Sequence, residues 1–129
     1  MPLLLSILDE TTAGERRSSG PFQFDTVTLP LREIIRLRVQ QEVDRFNHAE
    51  SEVFLGLVQP EETERLLNPV RQRRVLDWEK QYATALAAFQ RNGFLVLVDD
   101  RQIADLDETI RLTAQTKVAF LKLVPLIGG

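Results

Sequence analysis

The feature that most constrains this sequence is one long amphipathic helix between segments with the pattern of β-strands. Pro30 stands where a helix begins and Glu33 falls in the first turn, as is typical of a helix start. The apolar residues that follow recur every three or four positions, which predicts a helix of about four turns ending near Asn47. They are Leu31, Ile34, Ile35, Val39, Val43 and Phe46. Such a stripe must be buried against a sheet or against another helix.

Short apolar or alternating segments on both sides of this helix predict the strands of a sheet. The predicted strands are 3–10, 22–28, 94–98, 102–103 and 118–124. Segment 11–20 has the composition of a loop, and Asp99–Asp100 that of a turn. Residues 105–112 are predicted to connect the last two strands, with Leu106 and Ile110 buried. This order predicts an α+β fold, with one long helix lying across one face of a mixed sheet.

Residues 48–92 differ from the rest of the chain because they are rich in Glu, Gln and Arg. Helix-like segments are predicted at 61–67 and from Asn68, a candidate N-cap, to Arg91. We therefore predict a single domain over 1–129, with 48–92 as a helical insertion between the long helix and the third strand.

Composition excludes several classes of function. The chain has no cysteine and one histidine, which excludes disulfides, zinc–thiolate sites and thiol catalysis. A formal net charge of −3 argues against nucleic acid as a partner. The acidic residues at 99–108 do not have the spacing of a calcium loop, so no metal site is predicted. No run of eighteen apolar residues occurs, so we expect no membrane span and a cytoplasmic location.

Three segments carry a resemblance to a known family. Residues 22–28 run directly into the long helix, the block FLVLVDDRQIADLDETI has the strand–turn–strand–loop order of the family, and VAFLKLVPLIGG ends in two glycines. In these segments the sequence resembles the ubiquitin-like β-grasp family, which includes ubiquitin, bacterial ubiquitin-like modifiers and the sulfur carriers of thiamine and molybdopterin synthesis. The resemblance covers 3–47 and 93–129.

The resemblance implies that the protein is a substrate of enzymes and not itself an enzyme. In the family an activating enzyme uses ATP to adenylate the terminal carboxylate, which implies Gly129, with Gly128 before it, as the point of activation. The chain itself would need no cofactor. Glycines pass through narrow channels because they lack Cβ, and Pro125 would keep the tail of Pro125, Leu126 and Ile127 extended.

Four residues are predicted to bind partners. Since lysine is seldom buried without a partner, Ala119, Leu121 and Leu123 are expected to face the helix. That places Phe120 and Lys122 on the open sheet face, where the family docks its enzymes; the alternative is that the insertion covers this face and buries Phe120. Trp78 and Tyr82, four residues apart, are either core residues or part of a partner-facing surface.

Three functions follow from the resemblance. The first is a protein modifier that passes through an enzyme thioester to a target amine, as in bacterial systems linked to antiviral defence. Its partners would be an activating enzyme, a conjugating enzyme and a peptidase, with self-association as a further option for the insertion. The second is a sulfur carrier with a C-terminal thiocarboxylate for cofactor or thiolated-RNA synthesis. The third is an interaction module whose tail is never activated.

Overall fold

The computed structural model describes residues 3–48, 57–58 and 76–123. These residues form an α+β structure with a mixed five-stranded sheet, a two-stranded ribbon and two helices. The strands are β1 (Leu3–Thr11), β2 (Arg16–Phe24), β3 (Thr28–Pro30), β4 (Phe94–Val98), β5 (Arg101–Ile103), β6 (Thr109–Arg111) and β7 (Val118–Lys122). The helices are α1 (Leu31–His48) and α2 (Trp78–Gln90).

The five-stranded sheet has the order β2-β1-β7-β4-β5. Strand β1 is antiparallel to β2 and parallel to β7, and β4 is antiparallel to both of its neighbours. Ile7 lies opposite Val118, and Phe120 lies opposite Val96. The last strand of the sheet therefore lies at its centre, and its side chains are held by neighbours on both sides.

Helix α1 covers one face of this sheet, as its sequence pattern predicts. Every residue of its predicted apolar stripe is buried. The predicted buried residues Leu106 and Ile110 also lie in the core, and β6, which contains Ile110, pairs with β3 at the start of α1. The backbone N–H groups of Leu31 and Arg32 donate to carbonyls of the β5–β6 connection, so this connection caps the helix.

The second strand is displaced from its predicted position. It covers Arg16–Phe24 and not 22–28, so the predicted loop at 11–20 shortens to a turn between Thr11 and Arg16. The turn is tight because Gly14 takes a φ of 93°, a conformation that residues with a Cβ rarely adopt. Pairing with β1 keeps the polar residues of β2 extended, and local composition alone does not reveal that pairing.

Helix α2 begins later than predicted, at Trp78. The carboxylate of Asp77 accepts a hydrogen bond from the backbone N–H of Glu79, which makes Asp77 the N-cap. The segments predicted at 61–67 and around Asn68 lie outside the described residues. Helix α2 packs against α1 and buries Ala85, Ala88 and Phe89, so part of the predicted insertion belongs to the core.

Two side chains of α1 hold the rest of the described insertion in place. The carboxylate of Glu42 accepts the backbone N–H of Leu57 at 3.0 Å. The carboxamide of Asn47 accepts the N–H of Leu76 and donates to its carbonyl, at 2.9 and 3.0 Å. Leu57 and Leu76 are both buried. Both leucines are thus fixed to the C-terminal half of the long helix.

Candidate functional site

The predicted tail, which contains Gly128 and Gly129, lies outside the described residues, as do Pro125, Leu126 and Ile127. The structure describes the chain that leads into it. The carbonyl of Lys122 accepts the N–H of Thr12 at 3.1 Å, and the N–H of Leu123 donates to the carbonyl of Gly93 at 3.3 Å. The chain therefore leaves β7 between the β1–β2 turn and the junction of α2 with β4.

The expectation that Phe120 is an exposed partner-binding residue is wrong. Its side chain is fully buried and faces α1. The ring stacks on Phe94 with centroids 5.7 Å apart, and the guanidinium carbon of Arg38 lies 4.6 Å from its centroid. Lys122, two residues further along the same strand, shares this face. The two faces of β7 are thus the reverse of those predicted.

The reversal has its origin in a buried ionic cluster formed by Asp9, Arg38 and Glu42. The Arg38 guanidinium donates to both carboxylate oxygens of Asp9, at 2.6 and 2.7 Å, and to Glu42 at 3.2 Å. Arg38 is fully buried, and the other two side chains are nearly so. Two carboxylates next to one guanidinium make this side of the sheet suitable for a further cation. The expectation that Lys122 lies on the solvent-facing side of the sheet is therefore wrong.

Lys122 lies half-buried at the edge of this cluster. Burial lowers the pKa of its amine below the usual value, and the positive charges of Arg38 and Arg17 act in the same direction. The carboxylates of Asp9 and Glu42 oppose this shift. The residue is thus a partly desolvated amine at the root of the tail, and a partner-binding role for its exposed part stays a prediction.

A cleft of about 410 Å³ opens beside Lys122. Arg16 and Arg17 line it, together with carboxylates of β1 and of the β1–β2 turn. Arg16 is bound to Glu10 at 2.9 Å, and Arg17 lies 3.6 Å from Asp9. Among the described residues the cations of the cleft are balanced by nearby carboxylates, so these residues give it no excess charge that would select a charged ligand.

The centre of the outer sheet face, away from α1, is apolar, and polar residues such as Ser18 and Gln102 flank it. Leu8, Ala119 and Leu97 lie opposite one another across three adjacent strands. Since side chains alternate along a strand, they point away from the face that holds Phe120. The other apolar residues of this face are Leu95 and Leu121, which lie opposite each other, and Leu4, which is separated from Leu8 by Ser6 and is 61% exposed. We call these six residues the outer leucine face.

Trp78 and Tyr82 lie together on α2 and pack against the hydrophobic core, with each side chain partly exposed. Their ring centroids are 6.5 Å apart and the ring planes are inclined by 42°. The prediction that these two residues belong to the core is confirmed. A partner-binding role for their exposed edges stays a prediction.

No metal-binding group of three acidic, histidine or cysteine residues is found among the described residues. Within the parts of the chain that the structure describes, no helix is both long enough and apolar enough to cross a membrane. The side chain of Asp99 accepts the backbone N–H of Lys117, and that of Asp105 accepts the N–H of Asp107. These carboxylates hold turns and do not converge on one point.

The sequence carries a signal for the ionic cluster that was missed. Asp9 continues the alternation of Leu5 and Ile7, both of which are buried, so it belongs to the buried face of β1. Arg38 lies four residues after Ile34 and therefore on the apolar stripe of α1. Charges of opposite sign at buried positions of two different elements would have predicted a pair.

No protein-family model matches this sequence, and neither the curated proteins nor the solved structures include a protein that matches it.

Proposed function

We propose that the fold is a β-grasp and that the protein is a ubiquitin-like modifier activated at Gly129. The observation that supports this most is the place of β7. A β-grasp sheet has its first and last strands parallel at the centre, with a helix across one face. Here β1 and β7 form such a pair, and β7 continues in sequence towards Gly128–Gly129.

The proposed chemistry takes place at the Gly129 carboxylate and is performed by partner enzymes. Bound to an activating enzyme, this carboxylate attacks ATP. The products are an acyl-adenylate and pyrophosphate. An enzyme thiolate then displaces AMP to give a thioester, and a target amine displaces the thiolate to give an amide. The chain contains no cysteine, so the thiol must come from the partner enzymes.

We assign docking of the activating enzyme to the outer leucine face. This face replaces Phe120, whose burial removes it from contact with a partner protein. Leu8, Ala119 and Leu97 form a row with a small residue between two large ones, and an apolar side chain of the enzyme would pack over the small one.

Mass spectrometry of covalent adducts tests the proposal. The last basic residue is Lys122, so trypsin leaves the branch Leu-Val-Pro-Leu-Ile-Gly-Gly on the target amine. N-terminally tagged protein is expressed in cells of its natural host and purified under denaturing conditions. We expect branched peptides from the parent protein and none from a variant that lacks Gly129 or carries an alanine after it.

An extra alanine before Met1 is the matched control and should leave conjugation intact. If the C-terminal peptide instead gains the mass difference between sulfur and oxygen, the protein is a sulfur carrier. Branches that persist without Gly129 would contradict activation at this residue. If the parent protein yields neither branch nor thiocarboxylate and does not stimulate pyrophosphate exchange in the host lysate, the tail is not activated.

A further inference from the structure

A second cleft, of about 590 Å³, lies between the end of α2, the start of β4 and the β5–β6 connection. It meets the outer leucine face at Leu95, which lines it, and it does not depend on the chemistry proposed for Gly129. Its walls are contributed in part by α2, because Phe89, Gln90 and Asn92 line it. A β-grasp without an insertion would lack this wall.

The cleft contains an unpaired stretch of sheet edge at Phe94. Strand β5 pairs with β4 only from Val96 to Val98. The carbonyl of Gly93 bonds to β7, so by alternation the N–H and C=O of Phe94 point to the opposite side, beyond the end of β5. Neither group has a hydrogen-bond partner among the described residues, and Phe94 lines the cleft.

Three carboxamides surround this edge. Gln90, Asn92 and Gln102 line the cleft, are exposed, and make no side-chain hydrogen bond with any described residue. A carboxamide offers one acceptor and one NH₂ donor, which match the N–H and C=O of a peptide group. The arrangement is therefore suited to the main chain of an extended peptide.

Among the described residues that line the cleft, negative charges outnumber positive ones. Asp105 and Asp107 line it together with one cation, Arg32, which is bound to Asp107 at 2.8 Å. The carboxylate of Asp105 is exposed and, among the described residues, accepts only the local backbone N–H of Asp107. A basic side chain in the bound peptide would complement it.

We propose that this cleft binds an extended peptide segment of a partner protein, one that contains a basic residue. The segment pairs with the N–H and C=O of Phe94 as a short strand in line with β5, and its basic side chain lies beside Asp105. Main-chain pairing at a free sheet edge provides the affinity, and the charge provides the preference. The tail of this chain beyond Leu123 contains no basic residue, which disfavours it as the occupant.

Titration of the full-length protein with synthetic peptides tests the site. The probe is acetyl-Val-Lys-Val-Lys-Val-amide, and its counterpart has glutamate in place of lysine. We expect the lysine probe to shift the ¹⁵N–¹H resonance of Phe94 and the side-chain NH₂ resonances of Gln90, Asn92 and Gln102. We also expect it to slow hydrogen exchange at Phe94. Two further probes carry one N-methyl group each, on adjacent residues.

Because alternate N–H groups of a strand face its neighbour, only one N-methylated probe should bind more weakly, by roughly three- to tenfold. Gln102→Ala should weaken binding of the unmodified probe, whereas Gln115→Ala, an exposed carboxamide outside the cleft, should not. Asp105→Asn keeps the backbone acceptor and should abolish the preference for lysine over glutamate.

Shifts confined to another surface, including one between two copies of the chain, would overturn the proposal. Equal binding of the two N-methylated probes would exclude strand pairing at Phe94. A lysine preference that survives Asp105→Asn would exclude the assigned role of Asp105.

Discussion

The Arg38 guanidinium has aromatic as well as ionic neighbours. Its central carbon lies 4.6 Å from the ring centroid of Phe120 and 5.7 Å from that of Phe22. Together with Asp9 and Glu42 these contacts connect α1 to β1, β2 and β7. A single side chain thus holds the helix in one position over the centre of the sheet.

Removing the positive charge of Arg38 should destabilise the folded protein. We expect Arg38→Met to lower the free energy of unfolding by about 3–5 kcal/mol, because Asp9 and Glu42 would remain buried without their cation. Arg36→Met is the matched control on the same helix; its half-exposed pair with Glu33 should contribute no more than about 1 kcal/mol. Urea denaturation measures both values. Equal losses for the two variants would show that the cluster does not stabilise the fold.

The lowered pKa of the Lys122 amine can be tested through the pH dependence of the free energy of unfolding. Its pKa is lower in the folded than in the unfolded chain, so between the two values the unfolded state binds more protons. Stability should therefore rise as pH increases through that interval, by less than about 1 kcal/mol because the group is half-exposed. Lys122→Met should remove this rise, whereas Lys117→Met, which keeps the Lys122 amine, should not. A side-chain NMR titration that gives the same pKa for Lys122 with and without urea would contradict the assignment.

The β4–β5 hairpin is a strained element. Its two turn residues, Asp99 and Asp100, have φ values of 49° and 67°, so both lie in the left-handed region that type I′ turns require. Asp99 also binds Lys117 through its N–H and its carboxylate, whereas the Asp100 side chain makes no hydrogen bond with another described residue.

Replacing Asp100 should therefore relieve the strain without removing a contact. We expect Asp100→Gly to raise the free energy of unfolding by about 1 kcal/mol, since glycine adopts positive φ without a steric penalty. Asp100→Ala should lower it, because alanine tolerates this region less well than aspartate. Thermal denaturation of the two variants measures both changes. A glycine variant less stable than the parent would be inconsistent with a strained turn.

At the scale of elements, the sequence predicts what depends on local pattern. Helix α1 and strands β1, β4 and β5 lie within one or two residues of their predicted bounds. Strand β2 does not, because Arg16–Gly20 is polar and is extended only through pairing with β1. The sequence could not predict which face of β7 is buried either. Its apolar residues are continuous, and the burial of Phe120 depends on the distant residues Asp9 and Arg38. The tail predicted to carry the chemistry lies outside the described residues, so its role stays a prediction from the sequence.

At the scale of the whole molecule, the insertion is part of the hydrophobic core and not an added surface module. Replacing 48–92 by a short Gly/Ser loop would remove Leu57, Leu76 and Phe89 and expose the side of α1 that they cover. We expect the shortened protein to aggregate or to lose its cooperative thermal transition, as measured by circular dichroism and size-exclusion chromatography.

Two point variants separate this effect from the change in chain length. Phe89→Ala should cost about 3 kcal/mol because it leaves a cavity beneath α2. Ala87→Ser, at an exposed position of the same helix, should cost less than about 0.5 kcal/mol. A shortened protein that is monomeric and as stable as the parent would show that α2 is dispensable for the core.

The parallel pair of β1 and β7 has a consequence for synthesis on the ribosome. Ile7 pairs with Val118, so one edge of β1 has no partner until β7 has been translated. At roughly 5–20 residues per second that interval lasts roughly 5–20 seconds, whereas the β1–β2 hairpin forms within microseconds. During this time the nascent chain presents an open strand edge with apolar side chains, a structure prone to pairing with other chains. We therefore expect β1 to be at its greatest risk of pairing with other chains before β7 has been synthesised.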